Sequence, residues 1–220
     1  MSRTRFILAL ILARLSRALI GLVKPGGGTT FPGRLALKID PGFVGHFQNL
    51  DPAKIIYITG TNGKSTTTNL LAAMLRRAGI SAAVNTEGAN LLAGVAVTLI
   101  GAASWRGRFR EEYLVLEADE RFLPIICKQL PPAWLCVTNI QKDQVQRNGE
   151  PDIIYRKISE SLRRDTVLFL NNDEPRSLSL APQVEKSIFF GVEQNAKSFA
   201  KRGFFTTTMS CPACGAPIRF

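Results

Sequence analysis

"YITGTNGKSTTTNLLAAMLRRAG", residues 57–79, places a glycine, lysine and hydroxyl cluster between an apolar run and a helical pattern. The strict phosphate-loop template wants a glycine five positions before Gly63, and Ile58 stands there, so this loop is a shorter one. Its chemistry still suits phosphate. A turn from a strand into a helix presents free backbone N–H groups at the positive end of the helix dipole. Gly60, Thr61, Asn62 and Gly63 form the turn and supply backbone donors, Lys64 would meet phosphates, and Thr66 adds a second hydroxyl beside Ser65, a candidate Mg²⁺ ligand. A plain turn ending in a surface lysine is the bland alternative, and the order strand, loop, hydroxyl run and helix speaks against it.

Outward from the loop, the pattern predicts strands at 55–59, 80–85, 95–100, 113–118, 134–139, 166–170 and 187–190, with helices at 65–78 and 151–162. Strands alternating with helices imply an α/β fold with a mostly parallel sheet and helices on both faces. Ligands of such sheets collect at the carboxyl ends of the strands. Four polar clusters are expected there: TGTNGKSTT, EADE, TNIQKDQ and NNDEP. Glu117, which closes its strand, is the candidate carboxylate for Mg²⁺, a hard cation that prefers oxygen ligands. A solvated acidic loop is the competing explanation.

The chain has 220 residues and 45% hydrophobic content, enough for one α/β domain with appendages and against wholesale disorder. Its net charge of +11 calls for an anionic partner, and seven Lys or Arg fall in the first 50 residues against a single Asp40. Residues 6–23, FILALILARLSRALIGLV, carry Arg14 and Arg17 three apart on one helix face. Two charges mid-span argue against a spanning helix. An interfacial helix with a basic stripe fits, as does a helix packed on the protein's own domain; a signal peptide fits less well. KPGGGTTFPG, residues 24–33, reads as a turn-rich linker.

GTNGKSTTTN in this shorter form resembles the Mur ligase family, and the rest of the chain narrows the likeness. FPGRLALKIDPGF, NTEGANLLAGV, EADE, TNIQKDQVQRNGE, LNNDEP and CPACGAPI are similar to the MurT-type subunits of lipid II isoglutaminyl synthases. The resemblance implies an ATP-dependent carbon–nitrogen ligase of peptidoglycan synthesis. Such a subunit converts the D-glutamate α-carboxylate of lipid II to D-isoglutamine through an acyl phosphate, with ammonia from a GatD-type glutaminase partner. It implies ATP and Mg²⁺, with Lys64 on the phosphates, Ser65 and Glu117 on the metal, and residues 85–90 on the carboxylate side. Many relatives have a histidine after the aspartate of the TNI segment; here Gln144 follows Asp143, so second-metal geometry must differ. Lys157 is out of register with a lysine that those relatives carbamylate, and His46 precedes the domain as a surface residue.

Three segments are expected: 1–50, a basic apolar helix and linker; 51–205, a Mur ligase central ATP-binding domain; and 206–220, the first half of a zinc ribbon. Cys211 and Cys214 supply two zinc ligands where a structural site needs four, so the chain offers a Zn²⁺ half-site, with reactive surface thiols as the alternative. Cys127 and Cys136 lie in apolar runs and read as core. A chain stopping at Phe220 is expected to be an N-terminal fragment, inactive in amidation by itself. A cytoplasmic setting follows from the lack of a disulfide framework, with peripheral contact at the inner membrane surface through residues 3–23. The alternatives are another Mur-family amide ligase, such as a folylpolyglutamate synthetase relative, and a non-catalytic basic zinc-ribbon protein binding nucleic acid. The second leaves the strand-end clusters unexplained, and no nucleic-acid partner is expected because aromatics do not interleave with the basic residues.

Overall fold

The computed structural model describes residues 3–23, 30–85, 91–141, 151–193 and 214–216. Six parallel strands form one sheet: β1 (Ile55–Thr59), β2 (Ala82–Val84), β3 (Tyr113–Glu117), β4 (Trp134–Val137), β5 (Val167–Asn171) and β6 (Lys186–Phe190), in the order β2-β3-β1-β4-β5-β6. Each lies within a residue or two of its expected position.

Seven helices are described: α1 (Arg3–Val23), α2 (Phe31–Ile39), α3 (Lys64–Arg77), α4 (Leu92–Ala102), α5 (Leu123–Gln129), α6 (Pro151–Ser159) and the single turn α7 (Pro175–Leu178). Side chains alternate across the sheet, so Ile55, Tyr57, Leu114, Leu116, Leu135, Val137, Leu168 and Leu170 share one face, and all are buried. Tyr57 spans that layer, its hydroxyl donating to the carbonyl of Leu130 just past α5 (2.8 Å). On the opposite face α3 lies over β1, β3 and β2. Beside α3, over β4–β6, that face carries an apolar groove of about 820 Å³ in which Trp134, Cys136, Phe169 and Phe190 meet Leu70, Leu71 and Met74. Cys127 is a core residue as expected, while Cys136 is half-buried in the groove wall; burial pushes their thiols up to about 12 and about 11.

Two expectations need correction. The segment expected as a strand at 95–100 is helix α4. It buries Val95, Ala96, Leu99 and Ile100, a helical spacing that the β-branched content concealed. It seats against α2 at Gly33, where a Cβ would collide with the Ala93 carbonyl. The linker expected over 24–33 in fact enters α2 at Phe31; residues 24–29 lie outside the described part.

The second correction concerns the basic stripe expected on α1; the helix itself follows the docked reading. It packs on the protein's own domain, burying Phe6, Ala9, Leu10 and Ala13 against α2, α4 and the 3₁₀ turn Phe43–His46. Phe6, Phe43 and Phe47 form a ring cluster with centroids 5.1–5.2 Å apart. Arg14 and Arg17 share a face, but it is the inner one. Arg14 donates to the carbonyls of Ile100 (2.9 Å) and Ala103 at the end of α4, and stacks on Trp105 at 4.7 Å; Arg17 lies against Gly101. A cation at a helix C-terminus meets both the unpaired carbonyls and the negative end of the dipole. The outer face is therefore apolar rather than basic: Leu8, Leu15, Leu19 and Leu22 are at least half exposed. His46 is partly exposed and bonded to the buried Asp40 (2.8 Å). Among the described residues no helix is long and apolar enough to cross a membrane.

Replacing Arg14 with Met keeps the stem and removes the charged cap. The change should lower the unfolding free energy in urea by about 1.5–3 kcal/mol, the range for hydrogen bonds to a charged group. A loss below about 0.5 kcal/mol would show that the cap contributes little to holding α1.

Candidate functional site

The chain leaves β1 over one face of the sheet through α3, and leaves β4 toward β5 on the other side. The crevice between the carboxyl ends of β1 and β4 is thus a topological switch point, where ligands of open α/β sheets bind. Gly60–Gly63 fills its mouth. Gly60 has φ +126°, and a Cβ there would stand 2.3 Å from Thr138 Oγ1 and 2.8 Å from the Asn139 carbonyl. Gly63 has φ +86° at the N-cap of α3. Both positions require glycine.

Backbone hydrogen bonds separate the loop into two parts. Thr61 N–H donates to the Asn139 carbonyl (2.9 Å), and Asn62 N–H to Asn139 Oδ1 (3.0 Å). The amides of Gly63, Lys64, Ser65 and Thr66 have no protein acceptor among the described residues. These four, at the start of a 14-residue helix, are the candidate anion-binding element. Of the expected donors, Thr61 and Asn62 N–H are therefore spent on holding the loop, while Gly60 and Gly63 N–H, with those of Lys64, Ser65 and Thr66, have no acceptor among the described residues.

Lys64 is the first residue of α3. Its ammonium donates to the carbonyls of Gly60 and Thr61 and lies 3.4 Å from Glu120 Oε1. Burial raises the Glu120 pKa against the opposing pull of Lys64. Burial would also raise the Asp119 pKa, but Arg121, bonded to both its oxygens (2.9 and 2.6 Å), and Lys64 hold it below the usual range. Glu120 as partner of the lysine was not expected from the EADE cluster.

Glu117 pairs with Ile58 in the sheet and by alternation projects on the side of α3. Asn85 fixes it: the Glu117 N–H donates to Asn85 Oδ1 (2.8 Å), and Asn85 Nδ2 donates back to the Glu117 carbonyl (2.7 Å). Expected on the carboxylate side of a substrate, Asn85 is instead buried and places Glu117; residues 86–90 lie outside the described part. The fit to MgATP is good on the phosphate side, where free amides converge with the Lys64 ammonium. For Mg²⁺ the chain supplies a hydroxyl at Ser65 and a carboxylate at Glu117, a sparse set that suits an ion keeping phosphate and water oxygens.

NNDEP turns out to support the same crevice. Asn171 Nδ2 donates to the Thr138 carbonyl (3.0 Å). The buried Glu174 accepts from the amides of Ile140, Arg176 and Ser177, tying β4 to α7. Asp143 and Gln144 lie outside the described residues, as does Cys211. Cys214 is exposed, and no group of three or more His, Cys, Asp or Glu able to hold a metal occurs among the described residues. The zinc half-site therefore gains no further ligand from the described fold. Lys157 of α6 pairs with Glu160 just past the helix (3.8 Å) and takes no place at the crevice.

Residues 58–212 match the Mur ligase middle domain. The chain is 31% identical over 195 residues to the lipid II isoglutaminyl synthase (glutamine-hydrolyzing) subunit MurT of Staphylococcus aureus strain COL, covering 88% of this chain and 43% of that protein. The Streptococcus pneumoniae R6 protein of the same name is 32% identical over 203 residues, covering 90% and 44%. The chain thus spans less than half the length of these curated relatives. Among solved structures, the pseudomurein peptide ligase type C of Methanothermus fervidus superposes with TM-score 0.59 at 20% identity, over 90% of this chain and 39% of that one. MurF of Acinetobacter baumannii gives 0.56 at 21%, over 72% and 34%. Sheet order, short glycine loop and the match of residues 58–212 agree: the chain belongs to the Mur ligase family, of which it carries the middle domain.

Proposed function

We propose that this chain is the nucleotide-binding portion of an ATP-dependent carbon–nitrogen ligase that amidates the D-glutamate α-carboxylate of lipid II in peptidoglycan synthesis. A separate GatD-type glutaminase would supply the ammonia. The observation that carries the nucleotide part is the run of four free amides at Gly63–Thr66, with the Lys64 ammonium beside them. The amidation part rests on the similarity to the two MurT subunits.

In this reaction a carboxylate oxygen takes the γ-phosphoryl group of ATP and ADP departs. Ammonia then attacks the carbonyl carbon of the acyl phosphate, inorganic phosphate leaves, and a proton is lost as the amide forms. The work of the protein is positioning and charge neutralisation. The amides of Gly63–Thr66 would receive the phosphate oxygens, and Lys64 would turn from the loop carbonyls and Glu120 toward the transferring group. Ser65 and Glu117 would hold Mg²⁺, which offsets phosphate charge as transfer proceeds. Asn85 keeps the Glu117 backbone fixed throughout.

The test is ADP release by the protein in its native complex with the glutaminase. Release should require both lipid II and glutamine, and Lys64→Ala should slow it about 10²–10³-fold, the scale of losing one preorganised electrostatic group. Equal rates in the variant would remove Lys64 from the chemistry. Release that ignores lipid II would refute the substrate assignment.

We further read the outer leucine face of α1 as lying against the inner membrane surface where lipid II resides, in a cytoplasmic protein. Support comes from its contiguous exposure at Leu8, Leu12, Leu15, Leu19 and Leu22, with Arg3 and Arg5 at the start of the helix. Flotation with anionic liposomes should be lost on Leu15→Glu with Leu19→Glu, which spare the inner face. Undiminished flotation of that double variant would exclude the stripe as the membrane contact.

A further inference from the structure

The phosphate loop is held largely from outside. Gly60–Gly63 contains no internal backbone turn hydrogen bond; the Lys64 ammonium caps the Gly60 and Thr61 carbonyls, and the segment that leaves β4 takes the amides of Thr61 and Asn62 and the Asn62 carbonyl. Asn139 binds one residue of the loop from both ends, Oδ1 accepting from Asn62 N–H and Nδ2 donating to the Asn62 carbonyl, each at 3.0 Å. Its own carbonyl accepts from Thr61 N–H (2.9 Å). The Thr138 hydroxyl donates to the same Asn62 carbonyl (2.6 Å), and Gln141 N–H donates to Thr61 Oγ1 (2.9 Å).

The consequence follows from the planar trans peptide. Carbonyl and N–H of one peptide unit point in opposite directions. Drawing the Asn62 carbonyl onto Thr138 and Asn139 therefore turns the Gly63 N–H away from β4, to the side where the amides of Lys64 and Ser65 also open. Left unanchored, that peptide could flip, replacing a donor with a carbonyl oxygen that repels phosphate. The glycine at position 63, with no side chain to resist rotation, makes the external anchor necessary.

We propose that Asn139 is a positioning residue of the nucleotide site, which, assisted by Thr138, sets the Asn62–Gly63 peptide in the phosphate-accepting orientation without touching the ligand. The inference rests on the nucleotide-binding function proposed above. It adds a division of labour across the switch point: β1 and α3 supply the groups that bind, and β4 supplies the groups that aim them. Glu174 extends the support one layer further, because it holds Ile140, the next residue after Asn139.

Two readouts test it. The first is amide hydrogen exchange of the nucleotide-free protein. Thr61 and Asn62 N–H should be protected in the wild type, and Asn62 N–H should exchange freely in Asn139→Ala; unprotected wild-type amides would contradict the clamp. The second is the dissociation constant for MgADP by calorimetry. Asn139→Ala should weaken binding about tenfold, as expected from losing the two side-chain hydrogen bonds that preorganise the site. Thr138→Val serves if the alanine variant fails to fold, and should weaken binding by a smaller factor. Wild-type affinity in folded Asn139→Ala and Thr138→Val would overturn the positioning role while leaving the nucleotide site in place. Absence of MgADP binding by the wild type would overturn both.

Discussion

A short glycine loop can bind phosphate only if its amides face one way and its carbonyls the other, and four residues are too few to enforce that alone. In this chain the constraint is met from the adjacent strand. The carbonyl of Asn62 is held by Thr138 and Asn139, and the amides of Thr61 and Asn62 are spent on Asn139. Left without an acceptor among the described residues are the Gly60 N–H and the run Gly63–Thr66, the latter at the positive end of α3. Much of the surrounding architecture reads as a consequence. β1 and β4 must be neighbours for this contact to exist, and their parallel register brings Thr59 opposite Val137, so both strands end at the same height.

The acidic side of the crevice follows a similar design. Asn85, at the end of β2, holds both backbone polar groups of Glu117 at the end of β3, extending the pairing of these strands by one more step through a side-chain amide. Each asparagine fixes a backbone rather than a ligand. Such two-point contacts cost little flexibility elsewhere, because the strands on which they sit are already buried in a parallel sheet. α1 is anchored by comparable means. Arg14 closes the carbonyl end of α4 and so leaves an apolar stripe, not a basic one, to face outward.

The parallel sheet and the loop were legible because their signals are local: apolar runs of five residues, each followed by a polar cluster, and glycines flanking a lysine. α4 was misassigned because Val95, Val97, Thr98 and Ile100 favour a strand by propensity, while the helical spacing of Val95, Ala96 and Leu99 gains weight only against the α2 surface it packs on. The inward turn of Arg14 and Arg17 was equally hidden, since a sequence shows that two charges share a face but not which way that face points. At the site, Lys64 and Glu117 follow from residue type and strand ends. The work of Asn85 and Asn139 does not, because both act across strands separated by 30 or more residues. Of the TNIQKDQ cluster, residues 138–141 lie beside the loop and support it, and Asn171 and Glu174 of NNDEP support that segment in turn.

The central claim is that the amides opening α3 receive phosphate. Its most direct test is the backbone amide spectrum of the ¹⁵N-labelled protein during titration with MgADP. The account predicts that the largest shifts fall on Gly63, Lys64, Ser65 and Thr66, with Thr61 and Asn62 moving less because their N–H groups stay on Asn139. Shifts concentrated elsewhere, or a spectrum unchanged at saturating nucleotide, would contradict it.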